Sequence, residues 1–230
     1  MTTDYFITNT GERIPIVFTH RAAARNIILR PKILPSRELH VSLPKWTSVS
    51  RAMKFIAEKQ SWLEKIYARA PVKKKFASGD VINLLGRDVM FVHKSCPHDN
   101  ECSLEIITIG GAPEFFERRV RDEIKKQFLA AVKKEIAGVP IALRPTKIAV
   151  RDTTSRWGSC SSTGTISLSY RLAFAPPPVM RYVIMHEIAH RKYMDHSAKF
   201  YGLVGQLYGS GWERAKIWLS KNGQTLHTYF

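Results

Sequence analysis

Apolar and polar residues alternate in short bursts over the first 45 positions. "RIPIVF", "ARNIILR" and "ELHVSLP" carry β-branched and apolar residues between Pro, Arg and Asn breaks, which predicts short strands. The period then lengthens. Ala52, Phe55, Ile56, Trp62, Leu63 and Ile66 recur at helical intervals, predicting a single helix from a cap at Ser48 to about Tyr67. "APVKKKFASGD", Ala70 to Asp80, reads as a loop, and "VINLLG", "VMFVHKS" and "SLEIITIG" return to strand-like clusters. Pro113 opens a second long helix whose stripe is Phe116, Val120, Ile124, Phe128 and Ala131, closing near Gly138 with Pro140 beyond.

From Thr146 onward, "KIAVRD", "SRWGSC" and "GTISLSYRL" predict strands, the last two joined at the turn-forming "SSTG". Pro176, Pro177 and Pro178 end the extended run, and a helix is expected from about Pro178 because proline suits a first helical turn. The pattern as a whole predicts an α+β protein. A strand-rich, basic N-terminal region with one helix, residues 1–112, is expected to pack on a second domain, residues 113–230.

That second domain contains "YVIMHEIAHRKYMDHSAKFY", where polar residues interrupt an apolar helix. At 3.6 residues per turn, His186 and His190 project from one helix face, so two imidazoles can approach one divalent ion. Glu187 stands beside the first of them in the H-E-x-x-H pattern, the position of a general base acting on water. A catalytic zinc needs a third protein ligand and an open place. His196 is the candidate, because Arg191 to Asp195 suffice to end the helix and reverse the chain, and Ser197 can cap a following helix with Phe200, Leu203, Val204 and Leu207 on its apolar face.

Charge adds a second theme. The net charge of +17 is spread as +10 over residues 1–75, 0 over 76–146 and +7 over 147–230. A field of that sign favours an anionic partner, nucleic acid or nucleotide, and equally keeps a solvated surface soluble. No run of about 18 apolar residues predicts a membrane span, and "MTTDYFITNTGERIP" lacks the succession of a secretory signal, so the expected location is the cytoplasm with no membrane partner. Three cysteines, an odd number, predict reduced thiols rather than a disulfide framework. Cys96 and Cys102 lie near His93 and His98, but the spacing matches no standard zinc pattern and reads as a surface loop.

The run "SRWGSCSSTGTISLSYRLAFAPPPVMRYVIMHEIAHRKYMDHSAKFY" resembles the YgjP-like metallopeptidase domain, related to the WLM and SprT-type zinc proteases. The likeness is dense over residues 146–205 and diffuse upstream, where "WLEKIY" also looks similar. It implies a zincin-like C-terminal domain, one Zn²⁺ held by His186, His190 and His196, Glu187 as the catalytic carboxylate, and a protein or peptide substrate. By the same resemblance an edge strand pairs with extended substrate through free backbone groups, and Thr165, Ile166, Ser167 and Leu168 are expected to supply it. Ser169 stands where the family often has Asn. The histidine spacing also coincides with that of the metzincins, but Tyr193 replaces their glycine and no methionine follows Met194, which excludes that subgroup.

Arg156 and Trp157 are expected on opposite faces of a strand, with Arg156 placed to steady an anionic group or an oxyanion and Trp157 in the core. Cys160 reads as a small buried residue. Tyr170, Tyr182 and Tyr193 are all candidate transition-state donors. Two rival functions follow from the same residues: hydrolysis of a nucleotide phosphoanhydride, and a SprT-type protease acting on proteins held at nucleic acid.

Overall fold

The computed structural model describes residues 4–33, 36–68, 74–94 and 105–229. The chain divides into two compact units, Met1–Ala70 and Pro71–Phe230. In the first, strands β1 (Tyr5–Ile7), β2 (Arg13–Arg21), β3 (Ile28–Lys32) and β4 (Glu38–Pro44) form a sheet in the order β1-β2-β4-β3. β2 and β4 run parallel, and β3 returns antiparallel to β4. Alternation places Ile14 and Ile16 of β2 and Leu39, Val41 and Leu43 of β4 in the core. Helices α1 (Val49–Glu58) and α2 (Gln60–Ala68) cover that face with Ala52, Ile56, Leu63 and Tyr67. The Tyr67 hydroxyl donates to the Glu38 carbonyl at 2.8 Å, satisfying a buried polar tip. Ser48 caps α1 as expected, its side chain accepting from the Arg51 amide, but the single expected helix is two, because the first ends at Lys59.

The second unit carries two three-stranded sheets. Strands β5 (Val81–Leu84), β6 (Arg87–His93) and β7 (Glu105–Ile109) make one, in the order β5-β6-β7. Strands β8 (Lys147–Arg151), β9 (Gly158–Cys160) and β10 (Thr165–Ser169) make the other. Between them in sequence, Pro113 opens a short 3-10 turn that leads into α3 (Phe116–Ala137). Its buried residues Phe116, Val120, Ile124, Phe128, Val132 and Ile136 step by four, the spacing that keeps one face inward. Then follow α4 (Pro177–Ala189), α5 (Ala198–Tyr208) and α6 (Trp212–Asn222). α4 is buried almost all round and contacts α3, α5, α6, β9 and β10, which explains its nearly unbroken apolar sequence. Its start is pinned by the β5–β6 turn: Leu85 and Gly86 both take positive φ, the Leu85 amide donates to the Ala173 carbonyl at 2.7 Å, and a Cβ on Gly86 would stand 2.7 Å from Pro177.

Two expectations change. The division falls at 70/71 rather than 112/113, because Ile82, Leu84, Val89, Phe91 and Ile109 of β5–β7 share one hydrophobic core with the α3 stripe. The strand Thr165–Ser169 is not an edge. The order β8-β10-β9 puts it in the middle, parallel to β8 and antiparallel to β9, so the backbone of Thr165, Ile166, Ser167 and Leu168 is committed on both sides. Cys96, His98 and Cys102, the sequence-level second metal possibility, lie outside the described residues; their neighbour His93 makes a 2.6 Å hydrogen bond to the Gly111 carbonyl. Among the described residues no helix is long and apolar enough to cross a membrane.

Candidate metal centre and its surroundings

α4 delivers His186 and Glu187 in its last turns and ends at Ala189, leaving His190 as its C-cap. The chain then folds back on itself. The amides of Arg191 and Lys192 donate to the carbonyls of Ile188 and Ala189, and the Tyr193 amide also reaches Ala189. Asp195 accepts from the Ser197 amide, and Ser197 caps α5 by accepting from Phe200. This reversal brings His196 onto the other two histidines. The Nε2 atoms of His196 and His186 are 3.1 Å apart, and the three rings offer nitrogen atoms that all lie within 4.8 Å of one another. Ring centroids are 5.1 Å apart for His186 and His190, 5.0 Å for His186 and His196, and 4.9 Å for His190 and His196.

Phe200, fully buried, forms the floor of this cluster, its ring centroid 4.9, 4.5 and 4.8 Å from His186, His190 and His196. Its burial was legible from the α5 stripe; its place beneath all three imidazoles was not. His190 Nδ1 lies 2.9 Å from the Tyr193 carbonyl, so that nitrogen carries the proton and Nε2 keeps its lone pair toward the cluster. His186 Nδ1 faces the Tyr182 hydroxyl at 3.5 Å. Burial, then the neighbouring His190 and His196, holds His186 down to about 4, and burial also lowers His190. At neutral pH both are uncharged imidazoles, the form that ligates a metal. Three imidazole nitrogens converging within 4.8 Å suit a first-row divalent ion.

Glu187 is only 6% exposed, and burial pushes its carboxyl up to about 7, with Arg156 opposing the rise. It abuts β9 at Gly158, where a Cβ would fall 2.5 Å from Oε1, so only glycine lets the strand approach this closely. Arg156 and Trp157 precede β9 rather than lying in a strand: Arg156 is exposed, and its carbonyl accepts from the Thr153 hydroxyl at 2.9 Å. Trp157, half-buried, packs its ring 5.1 Å from His227. Cys160 is half-buried, its thiol pushed up by burial and by Glu187, with Arg191 opposing.

β9 is the outer strand of its sheet, and hydrogen-bond parity says which groups face out. The Ser161 amide donates to the Thr165 carbonyl and the Ser169 amide to the Trp157 carbonyl. Alternation along an antiparallel pair therefore turns Trp157, Ser159 and Ser161 toward β10 and the backbone groups of Gly158 and Cys160 away from it. Among the described residues no strand occupies that outer side.

The three tyrosines singled out by sequence have separate fates. Tyr170 is fully buried against Phe174, with its hydroxyl pushed up to about 12 by desolvation. Tyr182 backs His186, and Tyr193 contributes its carbonyl to His190. The sequence reading missed Tyr201, Trp212 and Lys216, which stand beside the triad from α5 and α6. No periodic signal marked α6, because only Ala215 of that helix is fully buried.

Comparison with known proteins bears on this arrangement. A family model described as the YgjP-like metallopeptidase domain matches residues 25–222. Among solved structures, the metallopeptidase zymogen of Pyrococcus abyssi abylysin is similar at 25% identity and a TM-score of 0.33, over 46% of this chain and 97% of that one. None of the curated proteins matches the chain.

Proposed function

This chain belongs to the YgjP-like metallopeptidase family, and from that premise we propose that it is a zinc-dependent peptidase of zincin-like architecture that hydrolyses peptide bonds with Glu187 as general base. The observation that carries the reading is the convergence of His186, His190 and His196 within 4.8 Å, beside a buried carboxyl. His186, His190 and His196 would hold the ion, with Tyr182 and the Tyr193 carbonyl orienting two of the rings from behind. When bound, zinc supplies Lewis acidity to water and to a carbonyl oxygen.

Glu187 does the proton work. A carboxyl held near 7 by burial sits where a base for water is most effective, and Arg156 keeps part of it ionised. It takes the proton of the attacking water as the water oxygen bonds to the carbonyl carbon, then passes it to the amide nitrogen as the C–N bond breaks. The outward backbone groups of Gly158 and Cys160 suit an extended substrate strand better than the committed β10 does, because Gly158 abuts the Glu187 carboxyl and, among the described residues, no strand pairs on that side. The basic charge of residues 1–75 supports an anionic partner or an acidic protein substrate.

The test is metal analysis and cleavage of an unstructured protein by wild type and Glu187→Gln, with a nucleoside triphosphate incubated in parallel. The expected result is about one zinc per chain in both, and cleavage of protein by wild type only, Glu187→Gln being slower by about 10³-fold. Release of phosphate from the nucleotide with intact protein would instead favour the phosphoanhydride reading.

A further inference from the structure

The aromatic array behind His196 supplies a group that the base and the metal ligands leave unassigned: a donor for the oxygen that becomes negative when water adds to the carbonyl. We infer that Tyr201 is that donor and that Lys216 is the residue that positions and polarises it. This rests on the peptidase reading above and names a further catalytic group within it.

Tyr201 immediately follows Phe200, the floor of the histidine cluster, so one turn of α5 fixes both. Its ring lies 6.2 Å from that of His196, tilted by 31°. It also stacks on Trp212 at 5.3 Å and 11°, and Trp212 in turn stacks on Tyr182 at 6.1 Å and 11°. A ring held in such a column loses little freedom when its hydroxyl acts, because the rotamer is already chosen by packing. Lys216 Nζ donates to the Tyr201 hydroxyl oxygen at 3.2 Å and sits 4.4 Å above the same ring.

A phenol has one proton to give and two lone pairs. With Lys216 occupying a lone pair, the proton stays available, and among the described residues it has no acceptor. A cation bonded to the oxygen also makes that O–H a stronger donor, which matters most when the receiving oxygen gains charge. The other tyrosines are less suited: Tyr170 is sealed in the core, Tyr182 is 5% exposed and faces His186 Nδ1, and Tyr193 bonds His190 through its backbone. Glu187 approaches from the β9 side and Tyr201 from α5, so proton acceptor and oxyanion donor come from different elements flanking the same three histidines.

The experiment compares wild type with Tyr201→Phe, Lys216→Met and Lys216→Arg. For each, bound zinc, kcat and KM on one peptide, and the Kd of a phosphonate peptide carrying a tetrahedral anion are measured, the last by calorimetry. Tyr201→Phe is expected to keep its zinc and its KM within about twofold, while kcat falls by about 10²-fold and the phosphonate Kd rises by a similar factor. Lys216→Met should lose about tenfold in kcat in the same pattern, and Lys216→Arg should recover most of it. Unchanged kcat and phosphonate affinity in Tyr201→Phe, or a loss that travels with zinc content or KM, would overturn the assignment while leaving the peptidase reading intact. A wild type that holds zinc but cleaves no peptide would overturn both.

Discussion

The histidine turn and the β9–β10 hairpin both border Glu187, but they are made in different ways. Residues 186–200 assemble through one helix end, one reversal and one helix start, with every stabilising hydrogen bond local. The hairpin takes its place from afar: β10 becomes a central strand only because β8 pairs with its other side. Local geometry is set by residue type and spacing, so the three histidines can be placed from sequence. An edge is defined by what does not pair with it, and that is a property of the finished sheet.

The comparison breaks most sharply at the histidines. His190→Ala should lower bound zinc from about one ion per chain to below about a tenth and abolish turnover, as measured by metal analysis and peptide cleavage, because two ligands on one face no longer converge with a third. On the hairpin, Gly158→Val should leave zinc in place yet cost about 10²-fold in kcat/KM, since its Cβ meets the Glu187 carboxyl. Ser167→Ala on the central strand should change kcat/KM less than about twofold, which sharpens the distinction between β9 and β10.

A further measurement uses the titration of Glu187. Its folded value, about 7, lies above the ordinary carboxyl value of 4.5, so the stability it contributes is full below 4.5 and lost as pH rises through 7. In denaturant melts of the metal-free proteins, Glu187→Gln should therefore gain on wild type between pH 4.5 and pH 8, by up to about 3 kcal/mol. A modest effect is expected at Arg156. Its charge opposes the rise at Glu187, so Arg156→Gln should move the acidic limb of the kcat/KM profile to higher pH, with less than about tenfold loss at the maximum.

Much of the fold was legible where periodicity was strong. The α3 stripe stands as its spacing predicts up to Phe128, continuing through Val132 rather than the expected Ala131, and the Ser48 and Ser197 caps stand as expected, because a helix repeat and a capping oxygen act within a few residues. Lys59 broke the expected N-terminal helix without Gly or Pro to announce it, and β1 was too short to register. α6 escaped because Trp212 acts through stacking rather than burial, which leaves no apolar stripe to count.

The amino-acid sequence by itself determined the histidine cluster. His186, Glu187, His190 and His196 are spaced so that one helix turn and one reversal must bring them near each other, and covalent connectivity permits few alternatives. Tertiary structure alone decided what surrounds them: the open side of β9, the glycine contact at Glu187, and the Tyr201–Lys216 pair. Those features join residues distant along the chain, and such contacts depend on the packing of whole elements, which no local pattern encodes.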